Sequence, residues 1–260
     1  MKRAFTVIIA IVILSIGAKA GNNNFVPVAG EELVYNVSFF GLHLGTIRIV
    51  TEKATEFQGK KVYKAKCYLK SAEGIPFVSL NAIYDSWIDN TVSYSFKFEG
   101  RTQDNKSWQY DVADFEYDRK IILFSRRLGA KSVFSKTFNT DKKWNDGLSL
   151  FFFPRKYLLL KKSIKVPTFI EGLAYTTINF SGDDIREVEI DKVDYPIKTV
   201  YFTGKADYNG VYGFNGSFEG WFSADEARIP VKAKMKVLVG NVLIELSSWK
   251  RPGWKPPKAD

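Results

Sequence analysis

The sequence predicts a mainly β fold: a strongly curved antiparallel sheet, a barrel or half-barrel, with one short apolar helix against its concave face or end. Three observations predict it. Apolar and polar residues alternate with period two from one end of the chain to the other. Aromatic residues make up 15% of the 260, with 21 Phe and 13 Tyr, the side chains that a pleated, half-buried surface favours. A single very apolar stretch, residues 145–158, breaks the alternation.

Residues 1–20 read as a secretory signal peptide. Lys2 and Arg3 supply the positive start, Ala4 to Ile16 the apolar run, and Ala18-Lys19-Ala20 the small residues that signal peptidase needs, with cleavage expected between Ala20 and Gly21. The run is shorter than the roughly 20 residues a spanning helix requires. No Cys lies at the cleavage site to accept a lipid, so the expected product is a soluble periplasmic protein without a transmembrane segment.

The domain proper is expected over 21–250. Leu33, Tyr35, Val37 and Phe39 alternate with Asn36 and Ser38. Tyr63, Ala65, Cys67 and Leu69 alternate with Lys64, Lys66 and Lys70, which makes Cys67 a core residue. Tyr94, Phe96 and Phe98 alternate with Ser95, Lys97 and Glu99, and Val231, Ala233, Met235, Val237 and Val239 with Lys232, Lys234 and Lys236. Further strands are expected at 43–52, 80–89, 107–117, 119–125, 131–139, 163–170, 173–181, 185–190, 196–204, 211–223 and 241–250. Turn residues separate many of them: Phe40-Gly41-Leu42-His43, Gln58-Gly59, Asp207-Tyr208-Asn209-Gly210 and Val239-Gly240-Asn241. About fifteen short strands exceed what one flat sheet holds, so the sheet curls or splits into a sandwich, and curling is the expectation.

In 145–158, Asn145 or Asp146 can cap a helix, and Leu148, Phe151 and Phe152 fall at helical spacing. Pro154 lacks a donor and is expected to end or kink the helix near Phe153. The tail, 251–260, has Pro252, Pro256 and Pro257 and no apolar periodicity, so it is expected to be extended and flexible.

The order of these motifs resembles a bacterial envelope family, domain of unknown function 3108. Gly30-Glu31-Glu32-Leu33-Val34-Tyr35-Asn36-Val37 followed by Phe40-Gly41-Leu42-His43-Leu44-Gly45 is similar to its opening hairpin. Asp146-Gly147-Leu148-Ser149-Leu150-Phe151-Phe152-Phe153-Pro154-Arg155 is similar to its central helix, Val166-Pro167-Thr168-Phe169 to the next strand, and Gly220-Trp221-Phe222 through Pro230-Val231 to its closing strands. This chain departs from the family where Phe152 and Phe153 replace Tyr and where Pro154 precedes Arg155. The resemblance implies export and a β-rich fold, and no reaction or ligand.

The chemistry is thin. The only imidazole is His43 and the only thiol Cys67, too few for a nucleophilic triad or a transition-metal site, and no Gly-rich phosphate loop precedes a helix. No catalytic, metal or cofactor residues are assigned, and the chain reads as more a binding protein than an enzyme. A pair among Asp85, Asp89, Asp111, Asp114, Asp225 and Glu226 could serve a glycan hydrolase or lyase only if two flank a cleft. The formal charge of +10 falls to +7 without Lys2, Arg3 and Lys19, which favours anionic envelope surfaces over nucleic acid as partners.

Three functions stay open: a lipid-like or amphiphilic ligand bound in the curved sheet, a scaffold or assembly factor for another envelope protein through edge strands or the tail, and the carboxylate enzyme. For the first, Leu148, Phe151, Phe152, Tyr94, Phe96 and Phe98 are the candidate cavity lining and Arg155 the candidate anion contact.

Overall fold

Tyr63, Ala65, Cys67 and Leu69 point into the main apolar cluster, while Lys64 and Lys66 lie on the other face against Glu52 and Asp85, as the alternation requires. The same rule repeated along the chain makes the sheet. The structure, a computed structural model, describes residues 25–75, 80–104, 107–208, 216–237 and 239–260. The signal peptide, its cleavage point at Ala20 and Gly21, and the turn residues Asn209 and Gly210 lie outside the described residues.

The strands are β1 (Glu32–Phe39), β2 (Leu42–Thr51), β3 (Thr55–Phe57), β4 (Lys60–Ser71), β5 (Asn81–Asp89), β6 (Ser95–Asp104), β7 (Ser107–Glu116), β8 (Ile121–Leu128), β9 (Lys131–Asn139), β10 (Asn145–Asp146), β11 (Lys162–Phe169), β12 (Leu173–Val188), β13 (Ile197–Ala206), β14 (Ser217–Ser223), β15 (Pro230–Lys236) and β16 (Asn241–Lys250), with one α-helix, α1 (Ser149–Tyr157). They form one sheet in the order β10-β11-β12-β13-β14-β15-β16-β1-β2-β4-β5-β6-β7-β8-β9, with β3 paired to β4 off this path. Every pairing is antiparallel except that of β10 with β11. The β1–β16 pairing puts the first and last strands at the middle of the sheet.

The sheet curls without closing its ladder. At the seam, side chains replace backbone bonds: Phe169 of β11 packs on Phe115, Phe124 and Phe138 of β7, β8 and β9, and Arg126 of β8 reaches Glu171 beyond β11 at 2.5 Å. The expected barrel-like curvature is present, as an unclosed barrel. Sheet close-packing also uses two glycines: Gly204 and Gly220 stand directly opposite Phe218 and Phe202, whose rings occupy the space a Cβ would need.

Helix α1 fills the concave side. Leu148 and Phe152 join Leu33, Tyr35, Ile49, Cys67, Ile88, Ile197 and Leu246, while Phe153 and Leu158 pack with Val166, Ile178, Phe180, Val200, Phe202 and Phe222. Asp146 caps its first turn, accepting from the backbone N–H of Leu148 at 2.7 Å and of Ser149 at 2.9 Å.

The helix does not stop near Phe153. Pro154 lies inside it, and it runs on to Tyr157. An interior Pro costs a helix about 3 kcal/mol, and the anchors on either side offset that. Phe153 is in the core, and the fully buried Arg155 forms a two-pronged ion pair with Glu31, Nη1 to Oε1 at 2.5 Å and Nη2 to Oε2 at 3.0 Å. Arg155 Nη2 also donates to the Ala227 carbonyl at 2.9 Å, and Arg228 Nη1 donates to the carbonyls of Arg155 and Lys156. The α1 C-terminus is thereby tied to the head of β1 and to the β14–β15 turn.

Residues 251–260 are docked rather than flexible: they turn at Arg251–Trp254, where the Trp254 N–H donates to the Arg251 carbonyl at 3.2 Å, and then run on along the start of β13. Arg251 joins Arg155 on Glu31, and Trp254 stacks edge-on against Trp249 and donates Nε1 to Asp225 Oδ2 at 2.7 Å. Lys198 N donates to the Pro257 carbonyl, and Ala259 N to that of Pro196. Prolines keep their carbonyls, so a Pro-rich segment can still accept from a neighbouring strand. Two smaller differences are structural as well. The segments expected as strands 173–181 and 185–190 are one strand, β12, with a bulge between Phe180 and Ile185, and the short β3 was not anticipated.

Two outcomes follow from these contacts. Arg155→Met should lower the unfolding free energy by about 3–5 kcal/mol, because it leaves a charge buried without its main partner; a loss under about 1 kcal/mol in denaturant titration would contradict a structural clamp. Burial pushes the Glu31 carboxyl up, but the guanidinium groups of Arg155 and Arg251 outweigh it and hold Glu31 below its ordinary 4.5. Its stabilisation is therefore complete above the unfolded value and drains as pH falls through the lower folded one, and Glu31→Gln should flatten that acid limb.

Removal of residues 251–260 should destabilise the domain by about 1–3 kcal/mol. Cys67 offers an independent readout, since burial pushes its thiol up to about 12 and shields it from alkylation. Truncation should accelerate Cys67 labelling, whereas a flexible tail would leave the rate unchanged.

Candidate functional site

Leu148, Phe152 and Phe96 are buried, and Leu148 and Phe152 belong to the main core cluster. Phe151 is half-buried edge-on to Tyr35 at 5.9 Å. Tyr94 and Phe96 pack together with Tyr117 near the first residues of β6, and Phe98 lies against Tyr84 further along the same strand. These residues are distributed through the interior and spent on one another. The anion that Arg155 contacts is the chain's own Glu31.

The carboxylates weighed for acid–base work are likewise engaged. Asp85 sits among Lys64, Lys66 and Arg101 at 3.3, 3.2 and 3.1 Å. Asp89 accepts from the backbone N–H of Thr91, Ser93 and Tyr94 and so shapes the turn before β6. Asp111 takes a two-pronged bond from Arg126 at 2.7 and 2.8 Å. Burial raises the Asp114 carboxyl, with Lys97 at 3.8 Å opposing it. Asp225 organises the β14–β15 turn through Ser223, Ala227 and Arg228, and Glu226 is exposed. His43 is exposed at the start of β2. Among the described residues no group of three His, Cys, Asp or Glu could hold a metal ion.

One carboxylate that was read only as a helix cap is fully buried. Asp146 accepts Ser86 Oγ at 2.5 Å besides its two backbone bonds, its own N–H donates to Ser95 Oγ, and Ser149 Oγ donates to Asn145 Oδ1. Burial raises its carboxyl, against the hydrogen bonds from Ser86, Ser95, Ser149 and Leu148. This network pins β10 and α1 across β5 and β6, so its role is to position the helix.

The outer surface carries two distinct features. A cleft of about 420 Å³ lies beside Trp221, bounded by Glu187, Glu189, Lys232 and Lys234. The second is the β8–β9 hairpin. Residues 119–143 hold eight Lys or Arg (Arg119, Lys120, Arg126, Arg127, Lys131, Lys136, Lys142 and Lys143) and a single carboxylate, Asp141, which is +7. The chain without residues 1–20 also totals +7, so the rest of it balances. Arg119 and Arg126 are paired with Glu116 and with Asp111 and Glu171. Lys120, Arg127, Lys131, Lys136, Lys142 and Lys143 form no ion pair among the described residues.

The hairpin stands clear because the seam is staggered. Phe138, near the end of β9, is level with Phe169 at the end of β11, and Arg126, opposite Phe134, already reaches the β11–β12 turn. Residues 127–133, further along the hairpin than Arg126, are all exposed. All of β9 is exposed except Phe138, including Val133 at 48% and Phe134 at 44%, and Leu128 ahead of the turn is 42% exposed. The alternation marked 131–139 as a strand but could not mark it as the last strand of the sheet.

Among the described residues no helix is long and apolar enough to cross a membrane. Comparison with curated proteins finds no match. Among solved structures, a β-barrel-like protein of the domain of unknown function DUF1849 from Brucella abortus is similar at 10% identity, covering 87% of this chain and 98% of that one, with a TM-score of 0.55. That likeness supports the barrel-like fold. A protein of YmcC-like fold from Bacteroides fragilis, provisionally described as exported, shares 8% identity over 87% of this chain and 98% of its own with a TM-score of 0.37. A protein from Parabacteroides distasonis, provisionally described as a lipoprotein, shares 7% over 87% and 97% with a TM-score of 0.32. A family model matches residues 34–247, all of the sheet but the first two residues of β1 and the last three of β16, and the chain belongs to that family, described as protein of unknown function (DUF3108).

Proposed function

We propose that this protein is exported to the periplasm, is freed of residues 1–20, and acts without catalysis by docking an anionic partner of the cell envelope on its β8–β9 hairpin. The observation that carries the reading is the placement of charge: the whole excess of the mature chain falls within residues 119–143, next to an exposed edge strand. Cations without ion-pair partners concentrated on one hairpin and its two ends attract an anion more effectively than the same charge spread over a balanced surface. The pattern Lys2, Arg3, apolar run, Ala18-Lys19-Ala20 supports export.

Binding of a lipid-like or amphiphilic ligand is the second reading. With Leu148 and Phe152 of the concave face taken into the core, the feature that favours it is the outer cleft, where Trp221 offers an apolar face between Lys232, Lys234, Glu187 and Glu189.

Cell fractionation and intact mass should give a periplasmic chain beginning at Gly21. A photo-reactive amino acid placed at Val133 should yield discrete adducts in cells. The same group at Ile185, as exposed at 48% but on the balanced part of the surface, should not. Equal adducts at both positions, or a cytoplasmic chain that keeps residues 1–20, would sink the proposal.

A further inference from the structure

β9 hydrogen-bonds β8 along one side from Leu128↔Lys131 to Ile121↔Asn139, with one bulge opposite Arg126 and Arg127 that leaves Val133 without a partner residue. It ends the sheet, so among the described residues no strand pairs its other side. Edge backbone of this kind accepts another strand unless something prevents it. β9 spans nine residues, has no Pro or Gly, and reads Lys-Ser-Val-Phe-Ser-Lys-Thr-Phe-Asn, a composition that favours strand.

We infer that β9 is an acceptor for an extended, acidic segment of a partner protein, which adds to the sheet as a further antiparallel or parallel strand; this rests on the hairpin being the docking element proposed above. Charge selects the occupant. Lys131 and Lys136 lie on β9 itself, Arg127 and Lys120 at the two ends of the neighbouring β8, and Lys142 and Lys143 just past its end, with Asp141 the one carboxylate among them. A second copy of this chain would bring two hairpins edge to edge, each with Arg126, Arg127, Lys131 and Lys136 and no carboxylate over 121–139, and like charges placed together on paired strands are destabilising. Edge lysines are a common guard against self-pairing. Here the same lysines that repel a second copy complement a strand bearing Glu or Asp.

Backbone pairing would supply affinity, and alternate side chains specificity. Phe134 packs on Phe124, and the neighbouring Val133, the unpaired residue of the bulge, is 48% exposed, so an incoming strand would meet two apolar side chains at this point of the edge. Lys136 sits over the Phe138 ring at 4.7 Å, which holds its ammonium close to the strand where an acidic side chain of the added strand would run.

The test uses the mature full-length chain and a synthetic peptide of about nine residues that alternates Glu with Val and Thr, matched to the nine of β9. A second peptide of identical charge carries N-methyl groups on alternate residues, which removes backbone donors and nothing else. Fluorescence anisotropy should show the plain peptide binding at least about tenfold more tightly than the N-methylated one. On binding, amide exchange should slow along β9 and leave β12 unchanged. Lys131→Glu with Lys136→Glu, substitutions at exposed positions that leave the core intact, should weaken binding by about tenfold or more.

Equal binding of the two peptides, lost on charge reversal, would overturn strand addition while leaving the hairpin as an anionic docking element. So would charge-dependent binding to phosphatidylglycerol vesicles with no peptide binding, and that result would point to a membrane surface instead. Insensitivity of every probe to the charge reversal would overturn both the inference and the reading it rests on.

Discussion

The Glu31–Arg155 ion pair is the constraint on which the rest of the architecture depends. A curled sheet with free edges has no backbone ladder to fix how tightly it rolls, so curvature has to be set by what fills the interior. Helix α1 fills it, and α1 is held by a charge pair that is withdrawn from water on both sides. Taking two ions out of water is expensive and is recovered only through close, two-pronged geometry with further hydrogen bonds. Both conditions are met: Glu31 receives two guanidinium groups, and Arg155 also reaches the Ala227 carbonyl. The pair therefore specifies one helix position rather than adding generic stability.

That one position explains several features that look unrelated along the chain. Asp225 shapes the β14–β15 turn that presents Ala227 to Arg155, and its second oxygen receives Trp254 from the tail. Arg251, three residues earlier, reaches Glu31. The tail is docked because the clamp uses it. At the other end of α1, Asp146, Ser86, Ser95, Asn145 and Ser149 satisfy one another in the core. A buried polar network whose members are all bonded fixes geometry, whereas a partly bonded one would cost several kcal/mol. The interior is thus committed to holding the sheet in its curve, and binding is left to the outer surface and the free edge.

Much of this fold was legible in the sequence, and the parts that were not share a cause. Period-two alternation identifies strands and their inward residues, as at Tyr63, Ala65, Cys67 and Leu69, because it depends only on local geometry. The Asp146 cap is local too. Pro154 misled because its cost is local, whereas the anchors that offset it, Phe153 and Arg155 on Glu31, are tertiary; Glu31 lies 124 positions away. Glu31 and Glu32 are neighbours with the same side chain, yet one is buried on Arg155 and the other lies part-exposed against Arg48 at 3.0 Å. Strand parity says which faces inward, but composition gives no hint that an inward Glu has a partner. The cavity lining read from Leu148, Phe151, Phe152, Tyr94, Phe96 and Phe98 named interior residues, while packing among them is a property of the assembled sheet.

The same distinction governs the charge. A total of +7 says little, since screened charges interact only within about 8 Å at physiological ionic strength, and a spread-out excess would act as no site at all. What turns the excess into a site is topology. The sheet ends at β9, whose unpaired backbone carries Lys131 and Lys136, with Arg127 beside them on β8 and Lys120, Lys142 and Lys143 at the far end of the hairpin. Had the strands closed into a true barrel, β9 would have been paired and its lysines would decorate a wall. The unclosed ladder makes the interior clamp necessary, and it also leaves β9 as a strand on which charge and free hydrogen-bonding groups coincide.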